Sequence, residues 1–374
     1  MQKSLFSIFF AVIMGISFAG NAFADNIYFF KTNKTNENSI SEFKEIHLKN
    51  ITLSPDERQQ LLSRLDNLQK QRSYSRDNMV APFVLATAPS LPVSVALGMN
   101  GVPVLDQGPY GTCATFATTA ALDAIGAFPV DAKSGQKDYI SQTCFLQVSR
   151  FDNNDPGIWS GGGDAYYIAN SIQHNGVILD SYERDHGCGG LYNYPLIESS
   201  ARLLGSAFPM SEYVRDSDKQ FSGLIVKQLQ GDNRPNTLLL KVKQILANQN
   251  RVVVSFFTSP VTVGNPGVYG YCQTFNNAII TDPSQSIIDR NPDSFVLTSE
   301  VMQKIRNSGV SGGHAMIATG YDDNGVILDS DGHEHRGVLM FRNSWGPDVG
   351  DHGDFYMSYE YFETLATEAI DLSL

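Results

Sequence analysis

The sequence predicts an α+β protein, and three observations carry that expectation. Residues 113–204 hold helical patterns, residues 251–359 hold strand patterns, and hairpin turns separate the strands. Segregated runs of this kind place helices beside an antiparallel sheet rather than alternating with a parallel one.

In the first half, Cys113 is followed by Ala117, Ala120, Ala121, Leu122, Ala124 and Ile125, which predict a helix over 113–126. Further helices are predicted over about 139–150 and 163–175. In the second half, Leu238 to Ala247 reads as helical and residues 251–257 as a buried strand. Strands follow at His314–Tyr321, Gly337–Asn343 and Asp354–Tyr359, with turn signals at Asp323-Asn324-Gly325 and Asp331-Gly332. Ahead of both halves, residues 25–50 suggest a short strand or hairpin. Ser54, Pro55 and Glu57 then form a capping-box signature. Leu61, Leu62, Leu65 and Leu68 give an apolar stripe on a helix predicted over 54–72. Residues 73–90 read as a linker.

At 374 residues, with 42% hydrophobic and 18% charged side chains, the chain is ordinary globular material for two or three domain-sized units. Its net charge of −12 is uneven: residues 25–90 balance at +1 and residues 91–374 at −14. An acidic body repels phosphate backbones, so nucleic acid is excluded as an expected partner. Lys3, the apolar run Leu5 to Phe18 and the small-x-small site Ala22-Phe23-Ala24 read as a signal peptide, residues 1–24. The run falls short of the roughly 20 residues that span a bilayer. An exported chain without a membrane span is therefore expected, in a compartment that permits disulfides.

Gln107-Gly108-Pro109-Tyr110-Gly111-Thr112-Cys113 leads a glycine-bearing loop into a helix with the cysteine at its start. Unpaired N–H groups and the helix dipole favour a thiolate there, and the thiolate is the nucleophile. Gln107 is placed to aim an amide donor at an oxyanion over the sulfur. His314, in Gly312-Gly313-His314-Ala315, opens a strand from a glycine turn and suits acid–base work near neutral pH. Asn343, in Asn343-Ser344-Trp345-Gly346, closes another strand. Its amide oxygen can accept from an imidazole, and Trp345 can shield that bond from water.

These three motifs, in this order, resemble those of the papain-like cysteine peptidases over about residues 91–362. Tyr110, Thr112 and Ala114 stand where that pattern has Cys, Ser and Trp. The resemblance implies a two-lobed fold, with a helical lobe of about 107–204 and an antiparallel, barrel-like lobe of about 236–362. It implies a catalytic set of Cys113, His314, Asn343 and Gln107, with Ala315 and Trp345 lining the substrate cleft. Ser160-Gly161-Gly162-Gly163 is similar to the family's glycine turn, so Gly161 and Gly162 are expected to pair with an extended peptide. The implied protein is a secreted zymogen acting on proteins or peptides without a cofactor. Residues 25–90 would be its own inhibitory propeptide and residues 91–374 the peptidase domain, expected to be monomeric.

With Cys113 kept free, the best single pairing is Cys144 with Cys188, leaving Cys272 unpaired. The disulfide that the family forms from the position of Tyr110 cannot form here. His314 and Asn343 lie 201 and 230 residues after Cys113, against about 130–150 in papain-type chains. The excess is expected in insertions around 205–236 and 273–310. A glutamine deamidase or transamidase on the same scaffold, and a catalytically silent binding protein, are the alternatives. His333-Glu334-His335 with Asp348, Asp351 and His352 suggests a metal only weakly; a solvated loop is expected, with no metal.

Overall fold

The computed structural model describes residues 26–31, 43–78, 91–126, 128–152, 165–196, 208–217, 221, 223–229, 237–258, 268–280, 292–310 and 312–374. Residues 1–24, expected to be a signal peptide, and Gly161 and Gly162 lie outside these. Among the described residues no helix is long and apolar enough to cross a membrane.

The chain opens with β1 (Asn26–Lys31) paired antiparallel with β2 (Phe43–Asn50). Helix α1 (Pro55–Asn78) follows. It starts on the expected box: the Ser54 N–H donates to Glu57 Oε2 at 2.8 Å, and the Glu57 N–H donates to Ser54 Oγ at 3.3 Å. It runs past 72, so residues 73–78 are helix rather than linker; no glycine or proline interrupts them. Leu61, Leu65 and Leu68 bury their side chains in the main apolar core.

After β3 (Ser94–Ala96) come α2 (Cys113–Ile125), α3 (Gln142–Asp152), α4 (Ala165–Asn175), α5 (Asp180–His186) and α6 (Met210–Asp216). The expected helix at 139–150 therefore begins three residues later, because Ile140 is held by an extended bridge to Leu179. Helix α2 is buried at all but its last residue, which its run of Ala and Thr permits.

The second half comprises β4 (Ile225–Leu229), α7 (Thr237–Ala247), β5 (Val252–Thr258), β6 (Val268–Phe275), β7 (Ala278–Ile279), β8 (Ser294–Phe295) and α8 (Ser299–Ser308). It ends with β9 (Gly312–Asp329), β10 (Glu334–Arg342), β11 (Asp354–Ser358), α9 (Tyr359–Leu365) and β12 (Ala366–Ser373). Strands β9, β10, β11, β8 and β6 pair in sequence, and β6 pairs back to β9, closing the sheet on itself. An arm of β5, β12 and β4 extends from β9. The sheet thus reaches Ser373 rather than residue 362, and β4 draws part of the expected 205–236 insertion into it. The Asp331-Gly332 turn joins β9 to β10, but Asp323-Asn324-Gly325 does not end a strand. The pairing jumps there from Arg336↔Val326 to Val338↔Asp322, and Asp322 Oδ1 accepts from the Asn324 N–H at 2.8 Å. The signal makes a bulge instead.

Strand β9 separates two cores. Met316 and Ala318 face the sheet core with Val254 and Phe256, whereas Ala315 and Ile317 face the helical cluster with Cys113, Ala114 and Ala117. Period-two alternation on one strand thereby brings α2 against the sheet. Cys144 and Cys188 form a disulfide between α3 and the turn after α5, and Cys272 is a buried thiol outside that disulfide, its Sγ 3.7 Å from the Thr274 carbonyl.

Candidate active site

The start of β9 positions His314. Its partner on β5 is Phe256, whose ring meets the imidazole edge-on at 5.7 Å. Across β10, the chain leaves the strand at Arg342, so Asn343 is the first residue free of the ladder. Asn343 Oδ1 accepts from His314 Nε2 at 2.8 Å and from the Ser344 N–H at 2.7 Å. The second donor fixes the amide, so its oxygen faces the ring. Nε2 then carries the proton, and Nδ1 keeps a lone pair with no hydrogen-bond partner among the described residues. Trp345 stacks on the imidazole at 4.6 Å and 22° and is itself held edge-on by Phe355. Burial lowers His314 to about 4, against the opposing pull of its bond to Asn343.

The loop before α2 is tied to the same residues. The Gln107 N–H donates to the Ser344 carbonyl at 2.8 Å, and the Gly346 N–H to the Leu105 carbonyl at 2.9 Å. Ser344 Oγ donates to Gln107 Oε1 at 2.7 Å, and Gln107 Nε2 donates to the Tyr110 carbonyl at 2.8 Å. The Gln107 amide is thereby oriented from both ends. Cys113 is the first residue of α2, buried, after Thr112, whose side chain makes no capping bond. A cavity of about 10 Å³, room for one water, lies between Phe116, Ala117 and Ala120 of α2 and Ala315, Asn343 and Ser344. Helix α2 and Asn343 thus line one cavity. His314, Asn343, Trp345, Ser344 and Gln107 form one bonded and stacked group, and Cys113 and Ala315 share the apolar cluster beside it.

The N-terminal segment packs on residues adjacent to this group in the chain, which the residue patterns did not reveal. Strand β2 pairs with the start of β9, Lys49 opposite Gly313 and Asn50 opposite Gly312. The Ile51 side chain rests on Gly313, where a Cβ would come within 2.4 Å of its Cδ1. Lys44 ion-pairs with Asp106, the residue before Gln107. Farther out, Arg72 of α1 pairs with the buried Glu360 and donates to the Leu297 carbonyl at 2.8 Å, and Arg64 donates to the Ala366 carbonyl at 3.2 Å. These partners lie about 225–300 positions away in the chain, so only the fold brings them together.

His335 is buried, not in a solvated loop: β10 carries it between Glu360 and Asp329, at 3.3 and 3.4 Å. Asp329, Asp331 and His333 bring three ligand-type atoms within 4.8 Å of one another. Asp329 already accepts from the Asp331 and His333 N–H groups and from both imidazoles. Those bonds brace the β9–β10 turn.

No family model matches the chain, and no curated protein matches it. Solved structures do. The chain is similar to xylellain, a cysteine protease from Xylella fastidiosa, at 18% identity and a TM-score of 0.48, over 78% of this chain and 91% of that one. It is similar to digestive procathepsin L 3 of the Tenebrio molitor larval midgut, at 16% identity and a TM-score of 0.44, over 87% and 94%. It is also similar to the proform of Amb a 11, a cysteine protease and major ragweed pollen allergen, at 15% identity and a TM-score of 0.39, over 78% and 68%.

Proposed function

We propose that the chain is an exported zymogen of a papain-like, two-lobed cysteine peptidase that hydrolyses peptide bonds and acts as a monomer. The observation that carries this reading is the chain of bonds from His314 through Asn343 and Ser344 to Gln107, beside the helix that begins at Cys113. It fixes an imidazole tautomer and an amide donor together, as acyl transfer requires.

In this reading His314 Nδ1 takes the Cys113 thiol proton, and the thiolate attacks the substrate carbonyl carbon. The oxyanion is held by the Gln107 side chain and the Cys113 N–H. The C–N bond then breaks as His314 gives its proton to the departing amine. A water, deprotonated by His314, hydrolyses the thioester and returns the thiol. Asn343 keeps the ring in place, while Ala315 and Trp345 flank the bound peptide and Gly161 and Gly162 pair with its backbone. Residues 25–90 inhibit as a propeptide: β2, Ile51 and Lys44 cover the site, and α1 anchors them to α9.

The test is incubation of the purified chain over a range of pH, with sequencing of any new N-terminus and assay on a peptide library. A cut between residues 79 and 95, with activity appearing at the same time and absent from Cys113→Ser, is the expected result. Intact backbones with unit-mass gains on glutamine would replace this reading with a deamidase.

A further inference from the structure

Five residues separate Gln107 from Cys113, and in the proposed reaction both must present donors to one oxygen atom. Loop flexibility over that interval would cost catalysis. What holds the interval is a side chain from elsewhere. The Tyr194 hydroxyl donates to the Gln107 carbonyl at 2.7 Å, and its oxygen accepts from the Thr112 hydroxyl at 3.1 Å. One phenol therefore ties the first residue of the loop to the residue that precedes Cys113. Its ring meets Tyr110 edge-on at 5.9 Å and Phe116 at 4.9 Å, so it also packs on the middle of the loop and the first turn of α2.

The segment that brings Tyr194 there is itself anchored. Cys188, bonded to Cys144 on α3, exchanges backbone hydrogen bonds with Leu191 at 2.7 and 3.1 Å. Leu191 and Tyr194 both pack on the small core of Tyr110, Phe116 and Leu146. Two residues later the Leu196 backbone lies against Gly108, at 3.3 Å from where a Cβ would stand; with φ at +55°, that position suits glycine. Taking the Thr112 hydroxyl also diverts it from capping α2, consistent with the absence of a side-chain cap there.

We propose that Tyr194 is a positioning residue, clamping the 107–112 loop so that the Gln107 amide and the Cys113 N–H converge on the same oxyanion. The proposal rests on the peptidase reading for its catalytic consequence. Tyr194→Phe removes the hydroxyl and keeps the ring. In the activated chain it should lower kcat about tenfold with KM changed by less than about twofold, since a misaimed donor costs less than a missing one. Alkylation of Cys113 by iodoacetamide, which develops no oxyanion, should stay within about twofold. Adding Gln107→Ala should cost less in the Tyr194→Phe background than alone, because the two act on one interaction. Backbone amide exchange over residues 105–112 should quicken about tenfold, while Tyr192→Phe, on an exposed neighbour, changes neither kcat nor exchange. An unchanged kcat, fully multiplicative variants, or alkylation falling in step with kcat would overturn the proposal, as would unchanged exchange. If the parent chain cleaves no peptide, the peptidase reading fails, and amide exchange alone then decides whether Tyr194 holds the loop.

Discussion

Asn343 Oδ1 lies 2.8 Å from His314 Nε2 and accepts the Ser344 N–H at 2.7 Å, so one amide oxygen orients the imidazole and is itself oriented by the next backbone unit. Asn343→Ala removes both functions. In the activated chain it should lower kcat/KM about 10²-fold, the lower end of what positioned acid–base catalysis is worth. Steady-state kinetics on a peptide substrate check this, and full activity would remove Asn343 from the proposed set.

Ser344 Oγ holds the far end of the Gln107 amide. Gln107→Ala should cost about 10²–10³ in kcat, as loss of an oxyanion donor does. Ser344→Ala releases one end of the amide while Nε2 still donates to the Tyr110 carbonyl, and should cost about two- to tenfold, the worth of one hydrogen bond. Equal losses in the two variants would contradict this division of roles.

Ile51 and Lys44 are contacts of the N-terminal segment at the site. In the full-length chain, Ile51→Gly combined with Lys44→Ala should raise the rate of Cys113 alkylation about tenfold. That gain corresponds to about 1.4 kcal/mol of weakened cover. Deeper in the same segment, Leu65→Ala should destabilise the docked helix by about 2–5 kcal/mol, because Leu65 is fully buried in the main core. Thermal unfolding of the full-length chain measures the second effect.

In the covered state His314 is held neutral until about pH 4, against an ordinary value of 6.5. Between those values the unfolded chain binds more protons than the folded one. This group's contribution to stability is therefore complete above pH 6.5 and is lost as pH falls toward 4. NMR titration of the intact chain should show the His314 ring changing only near the lower value. Removal of residues 25–90 should move the midpoint upward, toward the ordinary range. A midpoint near 6.5 in the intact chain would contradict the burial.

Asp293 shifts the other way. Burial raises it from 3.8 to about 7, although Ser294 Oγ and the Cys272 N–H both donate to its Oδ1. The folded chain keeps this proton where the unfolded chain releases it, so the contribution is present below pH 3.8 and lost as pH rises through about 7. Asp293→Asn keeps an Oδ1 for both donors and removes the titration. Its melting temperature should gain on the parent as pH rises from 4 to 8; parallel curves would contradict the shift.

What could be read locally was legible in the sequence. The capping box at Ser54 and Glu57, the helix starting at Cys113 and the buried strand read at 251–257 each depend on neighbours a few positions apart. So does the placing of Asn343 at a strand end. Where a local signal met a distant partner, the partner won. Asp323-Asn324-Gly325 reads as a hairpin turn but becomes a bulge, because β10 continues pairing past it. His335 reads as solvated but is buried between Asp329 and Glu360.

By itself, then, the sequence determined the candidate residues and the elements that carry them, because side-chain type and short spacing decide both. Tertiary structure alone decided which distant groups meet: Ile51 on Gly313, Lys44 at Asp106, Arg72 at Glu360 and Tyr194 across the 107–112 loop. Those contacts join positions about 60 to 290 residues apart, or link a loop to a tyrosine 87 positions away. No spacing rule reaches that far. They form because sheet closure and the packing of two cores against β9 leave each of these side chains one place to go.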